Sequence, residues 1–398
     1  MLTYKKLSEE KKIIHHKNHL KKAKDISSII SAQSSCVCIR NIKQASAHNN
    51  SGINVHLYFS GKSPNDFYGF GNDYYKSITK VSKKTTLFWK YKIEKLIHKT
   101  NAQLIHSHNE PDILPMKMMQ FDLGIPIIYD QHDFLSAKRT LSSQLLNQEK
   151  YCNENNNGAI FITDKYKNLV SNKYAINPLN ISFPNYGSKD LLIKKDSMIK
   201  KISDKTGAIH LVYEGALDEK NPNITRYLVP QIKQLSELGF YIDLFPSKNN
   251  SYDLYKKMTN VTVHDKLPPN LLIKKLSQYD FGLSIVNQNC DNIPEELKYG
   301  FWNKCFDYLL AGIPQITLKG FDIINDFVEK NKFGFSIDDL SKLKNNENLS
   351  HENQEEFANH IFSNRDEWLI ENNLNKMHLF YIETIKKYHT QKIEELIN

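Results

Sequence analysis

Short apolar runs rich in β-branched and aromatic residues recur along the chain. Longer stretches with helical spacing or polar loop character separate them. In the N-terminal half these runs predict strands at 36–40, 54–60, 102–107, 126–130, 158–163 and 180–183. Helices are expected between them, for example at 112–122 and 165–173, the latter capped by Asp164. A second alternation predicts strands at 209–214, 241–245, 261–264, 281–285 and 315–318. Its helices fall at 224–238, 251–258, 270–278 and 303–310. Apolar strands alternating with helices are the pattern of parallel sheets wrapped by crossovers. The fold class is therefore α/β, with two tandem Rossmann-like domains facing a cleft.

The remaining stretches set the boundaries. Residues 1–34 are Lys- and Ser-rich and read as a basic N-terminal arm, a polar helix or a loose segment. The first domain spans 35–185, a polar linker 186–206 and the second domain 207–363. Residues 338–356 read as loop. The segment 364–398 is helical, with Trp368, Leu369, Leu374, Met377, Phe380, Tyr381 and Ile385 at helical spacing. It is expected to pack back on the first domain.

Composition narrows the function. The 398 residues carry 53 Lys and Arg against 44 Asp and Glu, a formal charge of +9. Only four of the cations are arginine: Arg40, Arg139, Arg226 and Arg365. Arginine is the usual reader of bases and phosphates, so nucleic acid is not an expected partner. The charge is also uneven. Residues 1–185 hold 26 basic and 14 acidic side chains, whereas 186–398 hold 27 and 30. The five cysteines show no C-x-x-C pair and read as reduced thiols. No apolar run is long enough to cross a bilayer, and the N-terminus has no signal-type stretch. The expected location is cytoplasmic, with one qualification. Segment 74–99 interleaves Lys76, Lys80, Lys83, Lys84, Lys90, Lys92, Lys95 and Lys99 with Leu87, Phe88, Trp89 and Tyr91. A basic, aromatic helix of that kind can lie on an anionic membrane surface, here the inner face.

Candidate chemistry lies at the strand ends. No G-x-G-x-x-G or Walker loop is present. One cluster is His106-Ser107-His108-Asn109-Glu110-Pro111-Asp112; a second is Tyr129-Asp130-Gln131-His132-Asp133. His106 and His108 alternate on a strand, as a metal pair would, but spacing supplies no third ligand. A third cluster runs from Leu211 through Gly215 to Lys220. There a glycine lets backbone approach a ligand, and a following helix start offers amides to a phosphate. The fourth is Asn303-Lys304-Cys305-Phe306-Asp307-Tyr308-Leu309-Leu310-Ala311-Gly312-Ile313-Pro314. It places a cation and a carboxylate three apart on one helix face, and the helix stops at Gly312.

This fourth segment resembles the N/S-K-x-x-[DE]-Y-x-x-x-G-x-P stretch of nucleotide-sugar glycosyltransferases with the glycosyltransferase-B (GT-B) fold. The group 1, family 4-like, retaining branch is the most similar. His106 to Asp112, Gly124 to Asp133 and Tyr279 to Ser284 resemble that branch in order and spacing, so the likeness covers roughly residues 36–335. It implies an acceptor-binding domain at 35–185 and a donor-binding domain at 207–363. His132 and Asp133 would act at the reacting sugar, and His108 and Glu110 on the acceptor. Gly215, Lys220, Asn303, Lys304, Asp307 and Tyr308 would hold the donor, the lysines at its diphosphate and Asp307 at the ribose. No cofactor and no metal are expected, because lysine charge serves the diphosphate and no Asp-x-Asp motif occurs. The implied partners are a nucleoside-diphosphate sugar and a glycan or lipid-linked saccharide acceptor in surface polysaccharide or glycoconjugate synthesis. Three departures stand out. Ala216 occupies a frequent arginine position, Tyr299 that of a first glutamate, and 40–45 lacks the usual glycine-rich loop. A catalytically inactive sugar-nucleotide-binding subunit and a GT-B-fold epimerase are the alternative readings.

Overall fold

The computed structural model describes residues 4–82, 88–291 and 293–398. It divides into two compact units, residues 1–184 with 370–398, and residues 185–369. Lys83, Lys84 and Leu87 of the basic segment lie outside the described residues.

Unit 1 is built on a parallel sheet in the order β3-β2-β1-β4-β5-β6-β7. Its strands are β1 (Ser28–Gln33), β2 (Asn54–Ser60), β3 (Ser77–Val81), β4 (Leu104–His108), β5 (Ile127–Gln131), β6 (Gly158–Phe161) and β7 (Asn180–Ser182). The central strands β1, β4, β5 and β6 are buried along their whole length, as helices on both faces require. The expected strand at 36–40 is replaced by β1, which lies earlier, inside the segment read as an arm. Its sequence, Ser-Ile-Ile-Ser-Ala-Gln, looks half polar, yet each polar side chain has a partner. Ser28 donates to the Thr100 carbonyl at 3.0 Å, Ser31 to Asn41 Oδ1 at 2.7 Å, and Gln33 Oε1 accepts the Cys38 amide at 2.8 Å. Residues 39–50 are helix rather than strand. Segment 74–99 is likewise not one helix: it holds edge strand β3 and the helix Trp89–Thr100. Thr163, not Asp164, caps the helix Asp164–Ser171, its hydroxyl accepting from the Tyr166 amide.

The C-terminal helix Ile370–Ile397 belongs to this unit. It buries Leu374, Met377, Phe380, Tyr381 and Ile385 and packs on the helices Glu9–Lys22 and Ile39–Asn50. The fit is close, because a Cβ on Gly158 of β6 would come within 2.9 Å of Phe380.

Unit 2 repeats the plan in the order β10-β9-β8-β11-β12-β13, again parallel. The strands are β8 (His210–Gly215), β9 (Tyr241–Pro246), β10 (Val261–Val263), β11 (Phe281–Ser284), β12 (Gln315–Leu318) and β13 (Gly334–Ile337). Both sheets contain the 3-2-1-4-5-6 strand order of the doubly wound fold. Segment 338–356, expected as loop, holds two short 3-10 turns and enters the helix His351–Asn364. Residues 186–206 run along unit 2: the Gly187 amide donates to the Trp368 carbonyl and the Ile193 amide to that of Leu310.

Candidate functional site

In unit 2 the site forms where β8 ends. Gly215 has φ 125°, a conformation that disfavours side chains, and it leaves the backbone bare. The Lys304 ammonium stands beside it; a Cβ on Gly215 would lie 3.8 Å from Nζ. Lys304 Nζ also sits 3.8 Å from the centre of the Tyr213 ring. A cation over an aromatic face is held there by the ring's negative face. Lys304 is in the first turn of the helix Asn303–Ala311, whose N-terminus adds the positive end of its dipole. Asp307 lies one turn further on the same helix and is partly exposed. Strand end, lysine and helix start thus form one anion-attracting corner, with a carboxylate nearby.

The helix is fixed from beneath. Tyr308 is fully buried, its hydroxyl accepting from the Glu214 amide at 3.1 Å and lying 3.3 Å from the carbonyls of Val212 and Leu283. Its ring rests on β11, where a Cβ on Gly282 would come within 2.4 Å. Tyr308, expected to touch donor, instead pins the helix to the sheet. The reason is packing: its ring fills the space left by Gly282. Ser284, Gln315 and Cys305 complete the anchor. Ser284 donates to Gln315 Oε1 at 2.9 Å, and Gln315 Nε2 donates to the Cys305 carbonyl at 2.8 Å. Asn303 is exposed at the helix start. Lys220 is exposed in a turn where its own amide and that of Asn221 donate to Asp218 Oδ1.

In unit 1 a polar network occupies the ends of neighbouring strands β1, β4 and β5. Its centre is Asp130, which is wholly buried. Arg40 Nε reaches both carboxylate oxygens, at 3.1 and 2.9 Å, and the Arg40 guanidinium donates to the carbonyls of Pro184 and Phe183. His106 Nε2 lies 3.1 Å from Asp130 Oδ2, and Gln44 donates at 3.2 Å. Burial opposes the Asp130 charge, but Arg40 first and His106 next hold its pKa well below the usual carboxylate range. His106 Nδ1 meets the Tyr381 hydroxyl at 2.6 Å, which ties the network to the C-terminal helix.

His132 follows β5. Burial alone would depress its pKa; the Cys38 thiol and Asp130 beside it instead push it well above the ordinary value. Cys38 shifts in the complementary sense: burial raises its pKa, and His132 outweighs that and lowers it. Asn109 Oδ1 accepts the amides of His132 and Asp133 at 3.3 Å, shaping the loop. Asp133 pairs with Lys138 at 2.7 Å. Burial first, and then the Asp133 carboxylate, raise the Glu110 pKa. His108, expected on acceptor, is almost fully buried, its ring stacked on His106 at 4.5 Å. The sequence clusters thus meet: His108, Glu110, His132 and Asp133 are neighbours. The part that Arg40, Cys38 and Tyr381 play in this network is not apparent from motif or spacing. An arginine retained among so few was the available signal for Arg40; the other two are assembled only by the fold.

Residues 211–367 match the family of glucosyltransferase 3-like, C-terminal domains. No curated protein matched the chain. Among solved structures, HepE from Anabaena, in complex with UDP and glucose, superposes with a TM-score of 0.64 at 13% identity. The match covers 93% of this chain and 100% of that one. A glycosyltransferase from Rickettsia africae gives 0.61 at 12% identity, covering 91% and 99%. Sucrose-phosphate synthase from Thermosynechococcus elongatus gives 0.56 at 13% identity, covering 94% and 95%. The chain thus shares the two-domain GT-B fold of these structures, and its residues 211–367 match the C-terminal domain of a glucosyltransferase family.

Proposed function

We propose that this protein transfers a sugar, with retention, from a nucleoside-diphosphate sugar to a glycan or lipid-linked acceptor. The observation that carries the reading is the corner of Gly215, Lys304 and the first turn of helix Asn303–Ala311, inside the matched segment. Departure of the nucleoside diphosphate builds negative charge. Lys304 and the helix N-terminus supply preorganised positive charge for it. Asp307 accepts hydroxyl hydrogen bonds from the ribose. Lys220, on its exposed turn, adds charge once donor is bound. On the acceptor side, His132 and Asp133 are proposed to meet the reacting sugar and Glu110 the acceptor. A site poised this way needs no resident cofactor.

Because HepE binds UDP-glucose, a uridine diphosphate sugar is the first donor to try. The test is thermal shift with a panel of nucleoside diphosphates, followed by intact-mass analysis of products from mixed nucleotide sugars. Stabilisation by UDP or GDP that disappears in Lys304→Ala supports the reading. No response to any nucleoside diphosphate would sink it in favour of a non-catalytic subunit. The anomeric configuration of the product, read by NMR, tests retention.

A further inference from the structure

Three residues that the sequence keeps far apart converge at the end of the unit 1 sheet. Cys38 follows β1, His108 ends β4, and His132 follows β5; these strands are consecutive in the sheet. One ligand-type atom from each, the Cys38 sulfur and a ring nitrogen of each histidine, lie within 4.8 Å of one another. Sulfur and nitrogen donors around a tetrahedral ion stand at comparable separations.

The surroundings match those of a metal site. His108 Nδ1 and His132 Nδ1 are buried without a hydrogen-bond partner. Each lies 3.7 Å from an Asp130 oxygen, His108 from Oδ2 and His132 from Oδ1. That is too long for a hydrogen bond, and stripping such groups of water without pairing them is costly. A carboxylate behind two histidine rings is the usual outer shell of a bound ion, tightening onto the rings when the metal draws on their other nitrogens. A second grouping, His106, His108 and Asp130, also lies close together. It is a poorer host, because Arg40 and Gln44 already engage the Asp130 carboxylate. The Cys-His-His set is borderline soft, which favours zinc over magnesium or calcium, and leaves a fourth position open. Cys38 is partly exposed, which provides an entry path.

We propose that Cys38, His108 and His132 form a binding site for a zinc-class divalent ion, with Asp130 as its outer shell. Binding displaces one proton from the Cys38–His132 pair to solvent, leaving thiolate and imidazole on the ion. The ion would occupy the His132 ring, so its arrival stops sugar transfer and its removal restores it. That consequence rests on the function proposed above; the binding itself does not.

Cobalt is the spectroscopic probe. Titrating the full-length protein with Co2+ is expected to give tetrahedral d–d bands and a thiolate-to-cobalt charge-transfer band, both bleached by Zn2+. Cys38→Ser should remove the charge-transfer band and weaken Co2+ binding by about tenfold or more. His108→Gln should weaken it as well, and Cys36→Ser should leave the spectrum intact. Each variant is first checked by circular dichroism and thermal melting. The absence of a tetrahedral spectrum in wild type, or its survival in Cys38→Ser, overturns the site. Transfer is then assayed with Zn2+ and with chelator. Inhibition in wild type and none in Cys38→Ser supports the consequence. Equal inhibition of both overturns that consequence. A protein that binds cobalt but transfers no sugar refutes the function and leaves the site standing.

Discussion

At the scale of single residues, charge placement decides the outcome. Lys304 is expected to matter because it is the cation fixed beside Gly215, held by the Tyr213 face. Lys304→Ala or Asp307→Ala should lower donor affinity or turnover well over ~tenfold, measured with the preferred nucleotide sugar. Unchanged kinetics in both would remove the donor site from this corner. Arg40 and Asp130 make a second case. Removing one partner of a buried pair strands the other charge, at a cost of about 3–5 kcal/mol. Arg40→Met should therefore lower the urea midpoint strongly. The pH dependence follows from Asp130: its folded pKa is depressed, so its contribution is present above the unfolded value and lost as pH falls toward the folded one. A midpoint in Arg40→Met equal to wild type at neutral pH would contradict the assignment.

At the scale of elements, the docking of helix Glu9–Lys22 on the C-terminal helix depends on neutral histidines. His16 Nδ1 meets His389 Nδ1 at 2.6 Å, His19 stacks on His389 at 4.7 Å, and His15 Nε2 contacts the Gly124 carbonyl at 2.9 Å. Burial first, and mutual repulsion with Lys12, Lys22 and Lys392 nearby, pushes His16 down to about 3 and His19 to about 4. His389 is pushed down to about 2 by burial and the other three histidines. Unfolded, each takes a proton below about 6.5. The unfolded state then binds more protons, so stability falls as pH drops from about 6.5 toward 4. Hydrogen exchange should show residues 9–22 and 385–397 losing protection first in that window. Protection that stays uniform down to pH ~4 would count against a histidine-dependent seam. In unit 2 the matching element is Asn303–Ala311 on β11. Gly282→Ala should destabilise the protein, because the added Cβ meets the Tyr308 ring with no room to relax. A melting temperature equal to wild type would mean that ring is mobile.

At the scale of the whole molecule, the charge division persists when the C-terminal helix is assigned to unit 1. Residues 370–398 carry four basic and four acidic side chains, so unit 1 keeps its positive excess. On it, Phe88 is 56% and Tyr91 62% exposed, beside Lys90, Lys92, Lys95 and Lys99. No helix among the described residues is long and apolar enough to cross a membrane. A surface of this kind is expected to bind anionic vesicles at low salt and release them at high salt, because the attraction is screened. Sedimentation with phosphatidylserine vesicles measures it. No binding at low salt, or binding indifferent to salt and to Phe88→Ala with Tyr91→Ala, would reject the membrane reading.

Much of the architecture was legible along the chain because parallel strands are local and apolar. β2 and β12 fall at the expected residues, and the helix with Asn303, Lys304 and Asp307 needed only its spacing and Gly312 to be read. Its likeness to glycosyltransferases agrees with the family match over residues 211–367. What the sequence hid was polar. β1 and the helix Ile39–Asn50 carry Ser31, Gln33, Arg40, Lys43 and Gln44, all buried, and polarity alone argues against burial. Only tertiary structure supplies the partners that make their burial affordable, and only sheet order brings Cys38, His108 and His132 to one place. Sequence determined the elements and their order through local period and turn chemistry. The tertiary structure decided which polar groups lie inside, because that depends on pairings between residues far apart in the chain.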